Sequence, residues 1–138
     1  MGLTIRPSAL AALHTHAADG YPFEVVGILA GPEPTHVTRA VPLVNERADR
    51  RADRYEVSGL ALHRAETAIE AGGEVIVGYY HSHPDHPAVA SATDRDAALP
   101  RMSYVITAVH HGTVVDTRSW RLRDDRSAMD EEPLHIEA

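Results

Sequence analysis

The sequence contains no cysteine. Disulfides and thiolate metal sites are therefore excluded. It contains no lysine either, so all 13 of its Lys-plus-Arg positions are arginine. Biased codon usage in a GC-rich genome accounts for that, and the abundance of Ala, Arg, Asp, Gly and Pro agrees. Long hydrophobic runs are also missing. The cleanest apolar stretches, VVGILAG and EVIVGYY, are far too short to span a bilayer. The start, MGLTIRPSAL, has no apolar core behind a basic segment. No secretion signal is read there, and the expected compartment is the cytoplasm. Positive charge is in deficit, with a formal net charge of −7. That argues against nucleic acid or an anionic membrane as the main partner. No HExxH helix and no Gly-x-Ser-x-Gly elbow occurs.

What is present is an ordinary globular composition. The 138 residues are 43% hydrophobic and 24% charged, which suits one domain with a real core. Leu3 to Ile5 reads as a short strand. Pro7 suits the first turn of a helix that runs to about Asp19 and stops at Gly20. Glu24 opens the buried strand EVVGILAG. Thr35 to Val44 reads as a second strand, with Pro42 marking an edge or a bulge. Asn45 to Arg54 reads as a polar loop and Tyr55 to Val57 as a short strand. Ser58 caps a helix reaching Ala71, stopped by Gly72 and Gly73. Glu74 to Ser82 is a central strand and Ser91 to Leu99 a short helix before Pro100. Tyr104 to His110 and Thr113 to Arg123 form a hairpin at His111-Gly112. The expected fold class is α/β, a single-domain mixed β-sheet flanked by helices over residues 1–123. Residues 124–138 are expected to be a loose acidic tail, with Leu134 to Ile136 able to add a terminal strand.

The segment HSHPDHPAVASATD, His81 to Asp94, carries the chemistry. Residues two apart on a strand share a face. His81 and His83 therefore aim both imidazoles at one point, at the C-terminal end of the central strand, where open α/β sheets tend to place their sites. Ser91 is able to cap the next helix and so put Asp94 in its first turn, toward the same point. Two imidazoles and one carboxylate suit Zn²⁺, with a position left for water. Plainer readings stand beside this one. A lone His-x-His is a weak signal, and Ser91 with Asp94 fits a simple helix cap carrying an acid near the positive helix end. His86, between two prolines, is expected to face solvent.

The whole pattern is more specific than its parts. His-Ser-His-Pro, six residues, Ser, two residues, Asp resembles the signature of the JAMM (MPN+) metalloproteases. That family also requires an upstream glutamate, and YPFEVVGILAG resembles its Pro-x-Glu-x-x-Gly-x-Leu pattern. Val26 stands where many bacterial members have cysteine, at a position that is not a ligand. The resemblance covers Tyr21 to Ala98 and implies the MPN fold, a layered architecture like that of cytidine deaminases. It implies that His81, His83 and Asp94 bind zinc, one ion per chain. Glu24 would take a proton from water and deliver it to the leaving amine, its pKa raised by partial desolvation. Ser91 would donate to the oxyanion. Ser82 reads as structural. Asp85 and Arg95 are expected in a supporting shell or at the rim. Zinc nucleobase deaminases would need cysteine ligands, and a cupin would need a glutamate soon after the second histidine.

Members of that family hydrolyse amide or isopeptide bonds after the C-terminal tail of ubiquitin or ubiquitin-like proteins. Only residues 95–102 separate Asp94 from Ser103, which leaves no room for the usual insertion and indicates the minimal bacterial type. The partner so implied is a ubiquitin-like sulfur-carrier protein with a C-terminal Gly-Gly tail, released from cysteine or another amine. An isopeptidase acting on protein lysines and a non-catalytic interaction module are the alternatives. The intact set of Glu24, His81, His83, Ser91 and Asp94 argues against the module. In this context the absence of lysine has a second possible reading, protection from the enzyme's own substrate system.

Overall fold

The computed structural model describes residues 2–45 and 57–138. In chain order the elements are β1 (Leu3–Ile5), α1 (Pro7–Gly20), β2 (Val26–Gly31), β3 (His36–Val37), β4 (Arg39–Leu43), α2 (Gly59–Ala71), β5 (Val75–Pro84), α3 (Ala92–Ala97), β6 (Ser103–His110), β7 (Thr113–Leu122), β8 (Met129–Glu132) and β9 (Leu134–Ile136). A six-stranded sheet has the order β4-β2-β5-β6-β7-β8, and a three-stranded sheet has the order β3-β1-β9. In the large sheet β5 and β6 are parallel, and the other pairs are antiparallel. The parallel pair is joined through α3, since parallel strands need a crossover. This is the expected mixed sheet with flanking helices.

The helices cover opposite faces of the sheet. On α1 the buried Ala9, Leu13 and Ala17 pack with Val25, Leu29, Val77, Val105 and Val109. On α2 the buried Ile69 packs with Ile28 and Ala30, which alternate with Leu29 along β2. Ser58 caps α2 by accepting from the Ala61 amide at 3.0 Å. Pro7 opens α1 as its fixed φ favours. The hairpin turn is also as expected: His111 and Gly112 have φ of 52° and 82°, the signs a two-residue type I′ turn demands.

Four expectations need correction. Strand β2 begins at Val26, so Glu24 precedes the ladder. The run from Thr35 to Val44 is two strands, because the chain changes partner at Thr38. Before it, β3 pairs parallel with β1; after it, β4 pairs with β2 and forms the sheet edge, with Pro42 opposite Gly27. Strand β5 runs on to Pro84, so both histidines lie within it. The tail is not loose. Its β8 pairs with β7, and β9, the anticipated terminal strand, pairs with β1. Buried Ser103 and Ser119 both donate to Glu132 Oε2 at 2.7 Å, and Arg123 grips Asp130 through two bonds of 2.9 Å. The loop and short strand read between Asn45 and Val57 lie outside the described residues except at their two ends; Val57 itself is in no strand. Among the described residues, no helix is long and apolar enough to cross a membrane.

Candidate metal centre and active site

Strand alternation sends Tyr79, His81 and His83 to the same face of β5. The two imidazole centroids are 5.1 Å apart. Asp94 reaches both from the first turn of α3: Oδ1 lies 3.0 Å from His81 Nε2 and Oδ2 lies 3.2 Å from His83 Nε2. Candidate ligand atoms of His81, His83 and Asp94 all fall within 4.8 Å of one another. The side chains of His81 and Asp94 are only 2% and 9% exposed. Two elements of the chain, β5 and α3, thus bring nitrogen and oxygen donors to one enclosed point.

The donor chemistry fits zinc. His83 Nδ1 lies 2.7 Å from the Pro87 carbonyl, which can only accept. The ring proton therefore sits on Nδ1, and Nε2 is the nitrogen that faces the centre with a lone pair when the ring is neutral. Burial works against the charged form of Asp94, yet the hydrogen bonds from His81 and His83 outweigh it and hold the carboxyl far below its usual range. Burial works against protonation of His83 too. There the hydrogen bond to Asp94, the Pro87 carbonyl, and the charges of Asp94 and Glu24 outweigh it, so the pKa is raised. A carboxylate fully ionised between two imidazoles is a cation site in chemical terms.

Around this centre each sequence-predicted residue can be placed. Glu24 is buried, and its charge is felt at His83. Ser91 is the N-cap of α3, and it and Asp94 form a reciprocal capping box. In that box the Ser91 oxygen accepts, which leaves its O–H for another partner. The cap reading and the donor reading are therefore compatible. Ser82 is fully buried, as a structural residue should be, and its Oγ accepts from the Val25 amide at 2.9 Å. His86 is exposed and lies outside the ligand group, as expected. Arg95 is half-buried and reaches its neighbour Asp96, at 3.4 Å. Asp85 is exposed and bonds to Tyr21.

Other supports were not anticipated. The Asn45 amide donates to the Glu24 carbonyl at 2.8 Å, and the Trp120 indole donates to the Ala88 carbonyl at 3.1 Å, holding the loop that carries the Pro87 acceptor. Both are long-range bonds with no local sequence signal. The glycine of the Glu-x-x-Gly pattern has a steric reason. A Cβ on Gly27 would stand 2.1 Å from the ring of buried Tyr80.

Residues 6–123 match the family model described as prokaryotic homologues of the JAB domain. The chain belongs to that family. It is 41% identical over 103 residues to a desampylase of Haloferax volcanii, a match covering 73% of each protein. It is 33% identical over 136 residues to the CysO-cysteine peptidase of Mycobacterium tuberculosis, covering 97% of this chain and 90% of that one. A JAB1/MPN domain protein from Archaeoglobus fulgidus superposes with a TM-score of 0.65 at 16% identity, covering 99% of this chain and all of that one (100%). That likeness establishes the shared fold and bears out the expected architecture.

Proposed function

We propose that this JAB-family chain is a zinc-dependent hydrolase. Its substrate is the amide bond that follows the C-terminal Gly-Gly tail of a ubiquitin-like sulfur-carrier protein, and it acts in the cytoplasm with one zinc per chain. The observation that carries this reading is the convergence of His81, His83 and Asp94 within 4.8 Å, with a buried glutamate whose charge is felt at His83. Cysteine is the proposed leaving group, because the relative matched across nearly the whole chain is named a CysO-cysteine peptidase.

His81, His83 and Asp94 would hold the ion. Zinc held there would supply Lewis acidity, lowering the pKa of water and polarising a carbonyl. The rest falls to the chain's own groups. Glu24, which is buried, takes the proton of the attacking water and returns it to the leaving amine. Ser91 keeps its O–H free of the cap and donates it to the developing oxyanion. The carboxylate of Asp94 stays ionised throughout, as its two imidazole partners require. The extended tail of the carrier adds as a strand, using backbone hydrogen bonds. In support, β4 ends the six-stranded sheet directly beside β2, the strand that Glu24 precedes.

The test is incubation of the zinc-loaded protein with two substrates, the carrier joined to cysteine and the carrier joined to a lysine side chain. Mass spectrometry follows both. Faster release from cysteine is expected. Faster release from lysine would make the protein an isopeptidase, and inertness toward both would remove the hydrolase reading.

A further inference from the structure

The metal ligands sit on β5 and α3, but Glu24 sits on the segment before β2, outside the ladder. Something must hold that segment in register with the ligands, since a proton shuttle displaced by about 1 Å loses much of its effect. Four bonds do so. Three are close to Glu24 itself: the Asn45 amide on its carbonyl, and the exchange in which Val25 N donates to Ser82 Oγ at 2.9 Å and Ser82 N donates to Val25 O at 3.1 Å. The fourth is remote. Tyr21 Oη donates to Asp85 Oδ2 at 2.6 Å.

Asp85 is built as an anchor. It follows the last residue of β5 and is two positions beyond His83. Its amide donates to the Val109 carbonyl at 2.8 Å, and its Oδ1 accepts from the His111 amide at 3.0 Å. Its φ of 58° is the left-handed region that Asp and Asn tolerate better than most residues. One carboxylate therefore joins the end of the ligand strand, the β6–β7 turn and the start of the Glu24 segment. Both of its oxygens are used, on two donors from different parts of the fold. Tyr21 is half-buried against the core and Asp85 is exposed.

We propose that Tyr21 and Asp85 form a latch that positions Glu24 against the metal ligands. They are positioning residues: neither touches the reacting atoms, and they act through Glu24. The inference rests on the proposed hydrolase reading.

Tyr21→Phe removes one hydroxyl from a half-exposed ring and leaves the apolar contacts. It should lower kcat about tenfold, with KM, zinc content and melting temperature near wild type. Asp85→Asn is the conservative rescue. Its amide nitrogen can donate to the Tyr21 oxygen while its carbonyl accepts from His111, and Asn tolerates the positive φ. It should keep activity within about threefold of wild type, whereas Asp85→Ala should match Tyr21→Phe. A double-mutant cycle separates positioning from general damage, because Tyr21→Phe should cost nothing further in a Glu24→Gln background. Amide exchange provides a readout independent of turnover. In the zinc-loaded Tyr21→Phe protein, the Val25 amide should exchange faster while the Tyr80 amide, in the middle of β5, is unchanged. Unchanged kcat and unchanged Val25 exchange would overturn the latch. So would a tenfold loss that persists in the Glu24→Gln background. An inactive wild-type protein would instead sink the hydrolase reading, and the exchange result would still decide whether the latch exists.

Discussion

Ser91 and Asp94 bind each other twice. The Ser91 amide donates to Asp94 Oδ2 at 2.8 Å, and the Asp94 amide donates to Ser91 Oγ at 3.1 Å. This exchange opens α3 and aims the carboxylate at the two histidines. It also gives Ser91 two separable duties, one to the helix and one to the proposed oxyanion. Ser91→Ala should lose both, with about 1 kcal/mol of stability gone for the cap and a fall of about 10²–10³ in kcat for the donor. Ser91→Gly separates them, since glycine costs only a few tenths of a kcal/mol at an N-cap. It should melt near wild type and still lose the kcat. A Gly variant with normal turnover would leave Ser91 a cap alone.

The donor set sets the metal prediction. Purified protein should carry one zinc per chain by elemental analysis, and removal by a chelator should lower both activity and melting temperature, with both restored by zinc. His83→Ala leaves two ligands and should abolish tight binding. Full zinc content in that variant would show that the ion sits elsewhere.

Two histidines away from the centre predict an acid sensitivity. His14 Nε2 lies 2.8 Å from Thr117 Oγ1, and His16 Nδ1 lies 2.6 Å from the Tyr80 hydroxyl, bonds that fasten α1 to β7 and β5. Burial lowers the pKa of both, against a smaller opposing effect of Asp19 on His16. A depressed histidine pKa means that the unfolded chain takes the proton more readily. The stability these residues contribute is therefore complete above the ordinary value of 6.5 and is lost as pH falls below it toward the folded-state pKa. Denaturant unfolding of the metal-free protein, from about pH 8 to about pH 5.5, should show a steeper loss for wild type than for His14→Gln/His16→Gln. Equal slopes would contradict the assignment.

The candidate site was legible in the sequence because its information is local. His81 and His83 share a strand face by period, and Ser91 and Asp94 share a cap by spacing. Only Glu24 needed a second motif to bring it in. The fold was legible where burial dictates pattern, as in β2, β5 and β6, each largely or wholly buried. In the tail only β9 was legible, and β8 was not. Met129 to Glu132 reads MDEE, with no apolar alternation to mark a strand. Its pairing comes instead from partners far along the chain, such as Ser103 and Ser119 for Glu132 and Arg118 for Glu131. The partner change at Thr38 was hidden for the same reason, since β3 is called away by β1. Tyr21 and Asp85 are likewise 64 residues apart.

The central claim is that Glu24 moves the proton for a hydrolysis at the His81–His83–Asp94 centre. The measurement that tests it most directly is a mass-spectrometric time course on the carrier–cysteine conjugate, with wild type and Glu24→Gln at equal, verified zinc content. The account predicts release of cysteine by wild type and a rate at least about 10² lower for Glu24→Gln. Turnover by the zinc-loaded variant within about threefold of wild type would contradict it, and the proton would have to be carried by another group.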